Sequence, residues 1–77
     1  MNSSILLSYL QQLDLNIEEV KPDIYKGFSC NVKNWHSFRI WVNKKRNITI
    51  KTKGIQKSFN ISNLTELKKE LKSFELI

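Results

Sequence analysis

The stretch Ser37-Phe38-Arg39-Ile40-Trp41-Val42, then Asn43-Lys44-Lys45-Arg46-Asn47, then Ile48-Thr49-Ile50-Lys51-Thr52-Lys53-Gly54 decides the fold of this chain. In its first block Phe38, Ile40 and Val42 alternate with Ser37, Arg39 and Trp41. A period of two puts one set of side chains inward and the other outward on a strand. Ile48 and Ile50 repeat the pattern against Thr49, Lys51 and Lys53, and the polar run Asn43 to Asn47 between the two blocks reads as a hairpin loop. Centred on Lys45, that loop sets Arg39 opposite Lys51 and Trp41 opposite Thr49, on the side away from Phe38, Ile40 and Ile50.

Upstream, Phe28, Cys30 and Val32 alternate with Ser29, Asn31 and Lys33. This predicts a preceding strand with Phe28 and Cys30 on the core face, joined to the hairpin by an Asn34-Trp35 turn. Downstream, Gly54 turns the chain into a further strand through Phe59 and Ile61. Lys57 shares the inward face of that strand, so it either snorkels from a sheet edge or is displaced by a bulge near Ser58. A short extended piece around Ile17 to Val20 precedes the Lys21-Pro22-Asp23 turn.

Helices flank the strands. Ser4 to Leu13 is capped by Ser3 or Ser4 and sets Ile5, Leu6, Tyr9, Leu10 and Leu13 along one face. At the other end Asn63-Leu64-Thr65-Glu66 forms a capping-box arrangement, with Glu66 reaching back to the N–H of the cap. Leu64, Leu67, Leu71 and Phe74 make the apolar face there, and Lys68, Lys69 and Lys72 turn to solvent. The predicted architecture is α+β with two layers. It has an N-terminal helix, an antiparallel β-meander of three to five strands, and a C-terminal helix packed on one sheet face with the other face open. Residues 1–77 form a single domain.

Composition narrows the class. A chain of 77 residues buries only about 60% of its unfolded surface, enough for one thin core. The lone Cys30 favours a reducing cytoplasm, and the start Met1-Asn2-Ser3-Ser4-Ile5 is neither a signal peptide nor a membrane span. Asn-x-Ser/Thr triplets at Asn2, Asn47, Asn60 and Asn63 carry no chemistry without secretion. Eleven lysines, nine isoleucines and eight asparagines, with no alanine and two arginines, fit an AT-rich genome such as that of a low-GC bacterium or its phage. In the phage case the compartment is the host cell cytoplasm. Because coding bias inflates lysine, charge placement carries more information than charge total.

That placement is lopsided. Ile24 to Thr65 holds nine lysines and arginines and no acidic residue, whereas ordinary surfaces intersperse both signs. Residues 1–38 carry a net charge of −1 and residues 39–77 a net +7, the footprint of a surface that meets a polyanion. Arg39, Trp41, Lys44, Lys45, Arg46, Lys51 and Lys53 are the predicted nucleic-acid-binding residues. Trp41 serves base stacking and the cations serve phosphates. The expected function is a small basic DNA- or RNA-binding protein of regulatory or accessory type, not an enzyme. The alternative is a phage- or mobile-element-encoded, anti-CRISPR-like inhibitor that docks on a host nucleic-acid-handling protein complex, with Trp35 and Trp41 as anchors. A homodimer through a sheet edge is a third reading.

Catalysis and cofactors find no positive support. One histidine and one cysteine cannot build a multi-ligand metal site within one chain, and a Cys30–His36 pair is disfavoured by the core parity of Cys30. Glu18, Glu19 and Asp23 lack calcium-loop spacing, and Gly27 and Gly54 are isolated, so no phosphate cradle forms from glycine-rich sequence. Trp35-His36-Ser37-Phe38-Arg39-Ile40-Trp41-Val42 resembles the histidine-bearing loop and second strand of double-stranded-RNA-binding domains. The last helix opens Ser62-Asn63-Leu64-Thr65 in place of that family's lysine cluster, and the strand Gln56 to Ile61 is out of its pattern. Ile61-Ser62-Asn63-Leu64-Thr65-Glu66-Leu67 resembles single-strand-binding transcription coactivator domains over that segment alone. Neither resemblance covers enough of the chain to assign a family.

Overall fold

A computed structural model describes residues 1–13, 15–28 and 37–77. Helix α1 spans Ser3–Gln12, and strands β1 (Ile17–Lys21), β2 (Ile24–Phe28), β3 (Ser37–Val42), β4 (Ile48–Thr52) and β5 (Ile55–Phe59) follow, closed by helix α2 (Leu64–Ser73). The strands form one five-stranded sheet in the order β1-β2-β3-β4-β5, every neighbour antiparallel. The fold is therefore α+β, an antiparallel meander with a helix at each end. The expected hairpin register holds: Arg39 pairs with Lys51, Ile40 with Ile50, Trp41 with Thr49 and Val42 with Ile48.

Parity separates two sides of this sheet. Tyr25, Phe38, Ile40, Ile48 and Ile50 are buried and share one apolar cluster with Leu6 and Leu10 of α1 and Leu67 and Leu71 of α2. Gly27 belongs to the same side because Phe38, its direct partner, fills the space above it. A Cβ at Gly27 would lie 2.5 Å from the Phe38 ring and 2.6 Å from Cδ1 of Ile17, closer than packed atoms approach. On the opposite parity, Arg39, Lys51 and Ser58 are exposed, while Ile24, Lys26, Phe28 and Trp41 are half-buried.

After α2, Glu75 adopts φ 61, its N–H donates to the Lys72 carbonyl, and the Leu76 N–H donates to Leu71 O at 3.0 Å. That pair of bonds is the Schellman arrangement, here with Glu where Gly is usual, and it returns Leu76 fully into the core. After α1 the Leu15 N–H is directed at Leu10 O, and the Leu15 side chain is buried.

Several local expectations are corrected. The cap of α1 is Asn2, whose Oδ1 accepts from the Ile5 N–H at 2.9 Å, not Ser3 or Ser4. Ile5 is exposed, because Leu6 and Leu10 at i and i+4 take the buried positions. Glu66 accepts from the Ser62 N–H at 3.0 Å, one residue before the Asn63 cap. The strand after Gly54 stops at Phe59; Ile61 is buried but lies outside it. Lys57 stays in register opposite Ile50 and is exposed at the sheet edge, so the edge position accommodates it without a bulge near Ser58. The sheet's irregularity falls instead between Glu19 and Lys21.

The largest correction concerns Phe28. It ends β2 opposite Ser37 and so faces away from the core, because Tyr25 and Gly27 take the inward positions. The expected inward face of Cys30 and Val32, the Asn34-Trp35 turn, Lys33, His36 and Asp14 lie outside the described residues. Among the described residues no helix is long and apolar enough to cross a membrane.

Candidate nucleic-acid interface

The outward side of the sheet is built from rows running across the strands. One row reads Glu18, Lys26, Arg39, Lys51, Gln56 from β1 to β5, each residue directly opposite the next. Arg39 thus stands between two lysines, with no carboxylate as a direct cross-strand partner. Like charges directly opposed cost a sheet a few tenths of a kcal/mol per pair, and exposed charges more than about 10 Å away are largely screened at ordinary ionic strength. Glu18 is the one carboxylate in this row, opposite Lys26 at its end, and Arg39 and Lys51 have no acidic partner within it.

These cations share one concavity. Lys26, Arg39, Lys51 and Lys53 line a surface depression of about 250 Å³ together with Ser37, Thr52 and Gly54, and no acidic side chain lines it. Beside it the Thr52 hydroxyl, buried, donates to the Ser37 carbonyl at 3.0 Å across the ends of β3 and β4. Lys26 Nζ lies 5.5 Å from the centre of the Phe28 ring, a cation–π contact that orders the ammonium at the rim. Lys53 and Gly54 form the two-residue link from β4 to β5, with φ 53 and 77. Two consecutive positive φ values mark the primed hairpin turn, whose first position usually takes Asn or Asp, so a lysine there is held at a local cost.

The next row is Ile24, Trp41, Thr49, Ser58. Trp41 is half-buried, flanked by Ile24 and Thr49. Thr49 is only 2% exposed although it faces outward. A polar cluster accounts for it: the Asn43 side-chain amide donates to Thr49 Oγ1 at 3.0 Å and to Ser58 Oγ at 3.4 Å, and the two hydroxyls lie 2.9 Å apart.

Asn43 also organises the basic loop. Its Oδ1 accepts from the Lys45 N–H at 2.9 Å and the Asn47 N–H at 3.1 Å, and its backbone N–H donates to Asn47 O at 2.8 Å. Lys44, Lys45 and Arg46 project from this tip and are exposed, with Arg46 at φ 62. They lie at the opposite end of the hairpin from Lys53, roughly 15 Å from the Arg39 row at about 3.4 Å per strand residue. Arg46 lines a separate recess with Met1, Asn2 and Ile5, beside the start of α1.

Of the seven residues expected from sequence, Arg39, Lys51 and Lys53 converge, Trp41 lies one row away, and Lys44, Lys45 and Arg46 form a second, distant group. Lys26 and Ser37 are additional. Lys26 escaped the sequence reading because an inward Phe28 carries Lys26 inward with it. The signal that places it is Gly27, which belongs opposite a bulky aromatic and so turns its two neighbours outward. Tyr25 precedes Lys26 on β2 and faces the core side of the sheet. Burial raises the Tyr25 phenol above its ordinary value, and Glu19 and Asp23 raise it further.

Comparison with known proteins supplies no analogue. The chain matches no family model, no curated protein and no solved structure. The functional reading therefore stands on the residues themselves.

Proposed function

We propose that this protein binds nucleic acid through the outward side of its sheet, acting as a non-enzymatic regulatory or accessory factor. The observation that carries the reading is the acid-free concavity in which Lys26, Arg39, Lys51 and Lys53 meet. In this reading α2 lies on the Ile40 and Ile50 side of the sheet, the second layer of a two-layer domain, and leaves the cation row free for a partner. A backbone phosphate lies among Lys26, Arg39 and Lys51, Trp41 takes a base, and the Lys44 to Arg46 tip adds charge without geometry. The Arg39 guanidinium, with its fixed fork of donors, is the group best suited to grip a phosphate.

Fluorescence-monitored titration against single- and double-stranded DNA and RNA tests the reading. The expected result is affinity that falls steeply with salt and that drops about 5- to 150-fold in Trp41→Ala, from a loss of roughly 1–3 kcal/mol per stacked base. Absence of binding to every one of these ligands at low salt overturns the proposal. Co-purification from lysate after nuclease treatment opposes it to the inhibitor reading: a host protein retained in stoichiometric amount, alongside failed titrations, points to protein docking.

A further inference from the structure

We infer that the concavity formed by Lys26, Ser37, Arg39, Lys51 and Lys53 is a discrete site for a single phosphate group, selective for phosphate over monovalent anions. This rests on the reading above that the sheet's outward side meets an anion, and it identifies what is gripped there. Three observations carry it. The four cations come from β2, β3, β4 and the β4–β5 link, so tertiary register alone brings them together. Neighbouring strands lie about 4.8 Å apart, which puts the three cations of the row within about 10 Å, a span their long side chains close around one tetrahedral anion. Lys53 lines the depression from the β4–β5 turn at φ 53, a conformation that Asn would adopt more readily, so the turn carries a lysine where local backbone preference does not call for one.

The arrangement also predicts what does not belong to the site. Lys44, Lys45 and Arg46 stand at the far end of the hairpin and contribute only long-range field, which salt screens. A phosphate bound in the concavity contacts Arg39 in bidentate fashion, receives Lys26 and Lys51 from either side, and takes Lys53 from the turn. The same chemistry is offered by an internal phosphodiester and by a terminal phosphomonoester.

Thermal unfolding of the full chain at constant ionic strength, with inorganic phosphate against chloride, tests the inference. Phosphate at several times its dissociation constant is expected to raise the wild-type Tm by about 4–8 °C beyond chloride. Arg39→Gln and Lys53→Asn are expected to lose most of that rise, and a variant with Lys44, Lys45 and Arg46 all changed to Ala to keep it. Lys53→Asn favours the turn, so its loss of response cannot come from misfolding. Equal shifts with phosphate and chloride, or an undiminished shift in Arg39→Gln and Lys53→Asn, overturn the inference. Competition by phosphate against fluorescent oligonucleotides with and without a 5′-phosphate separates the sources. Preference for the 5′-phosphorylated strand assigns a terminal monoester, and equal displacement assigns the internal backbone; both support the site. Oligonucleotide binding with no phosphate response sinks the site and spares the nucleic-acid reading, whereas a phosphate response without oligonucleotide binding does the reverse.

Discussion

The β3–β4 hairpin carries basic residues in two places, on its flank at Arg39 and Lys51 and at its tip from Lys44 to Arg46, and the two groups are held in different ways. On the flank, cross-strand pairing fixes where each cation starts, with Lys26 and Arg39 opposed and Arg39 and Lys51 opposed. At the tip only the backbone is organised, by the Asn43 side chain, while the charged side chains stand in solvent. The difference teaches that equal charge does not mean equal recognition. A flank whose spacing is set by a folded sheet needs less further ordering when an anion arrives, whereas three exposed tip side chains lose rotamer freedom for each contact they make.

The comparison breaks most severely if the flank loses its register. Gly27→Ala drives a methyl into the Phe38 ring and should destabilise the fold by about 1–3 kcal/mol, lowering Tm by roughly 5–20 °C. In the part that remains folded, affinity for nucleic acid should fall because β2 no longer sets Lys26 beside Arg39. Unchanged melting with unchanged affinity would mean that the Gly27–Phe38 contact does not position this row.

A smaller effect is expected at the tip's hinge. Asn43→Ala removes two side-chain acceptor bonds to the loop backbone and the amide donor of the Thr49 and Ser58 cluster. The expected cost is about 1–2 kcal/mol, read from denaturant midpoints, with the salt dependence of binding preserved. A large change in that dependence would show the tip to be the principal phosphate contact and invert the comparison.

The smallest effect sharpens it. Lys45→Ala should weaken binding by about 2- to 3-fold at moderate salt, while Arg39→Ala should weaken it by more than about 10-fold, the gap expected between a screened point charge and a charge-assisted grip. Stability should hardly move in Lys45→Ala and should rise slightly in Arg39→Ala, from relief of its two lysine partners. Equal losses of affinity in the two variants would remove the distinction between flank and tip.

Much of this was legible in one dimension. A five-residue polar loop between two alternating runs fixes the register of a hairpin, so the opposition of Arg39 to Lys51 and of Trp41 to Thr49 followed from the symmetry of the loop about Lys45. The Asn63 cap and the spacing of Leu67 and Leu71 likewise announced α2. The inward strand face around Phe28 was misread because hydrophobicity was taken as the sign of burial. Gly27 carries no hydrophobic signal, yet it occupies the core position, since its partner Phe38 fills the volume that a side chain would need. One wrong parity hid Lys26, and with it the fourth cation of the concavity.

By itself the sequence determined the alternation of β3 and β4, the Asn63 cap, the Asn43 to Asn47 loop, the turn at Gly54 and the segregation of positive charge into the residues after Ile24. These are local properties: each depends on neighbours within a few positions and on backbone preferences that the residues carry with them. Only the tertiary structure decided that Lys26 and Lys53 join Arg39 and Lys51. Lys26 and Lys53 are 27 residues apart in the chain and line the same depression, because the sheet order stacks β2, β3 and β4 side by side. Lys44 to Arg46, although adjacent in sequence to both strands of the hairpin, are carried to its far end. Electrostatic recognition depends on distance through space, and strand pairing, not chain order, sets that distance.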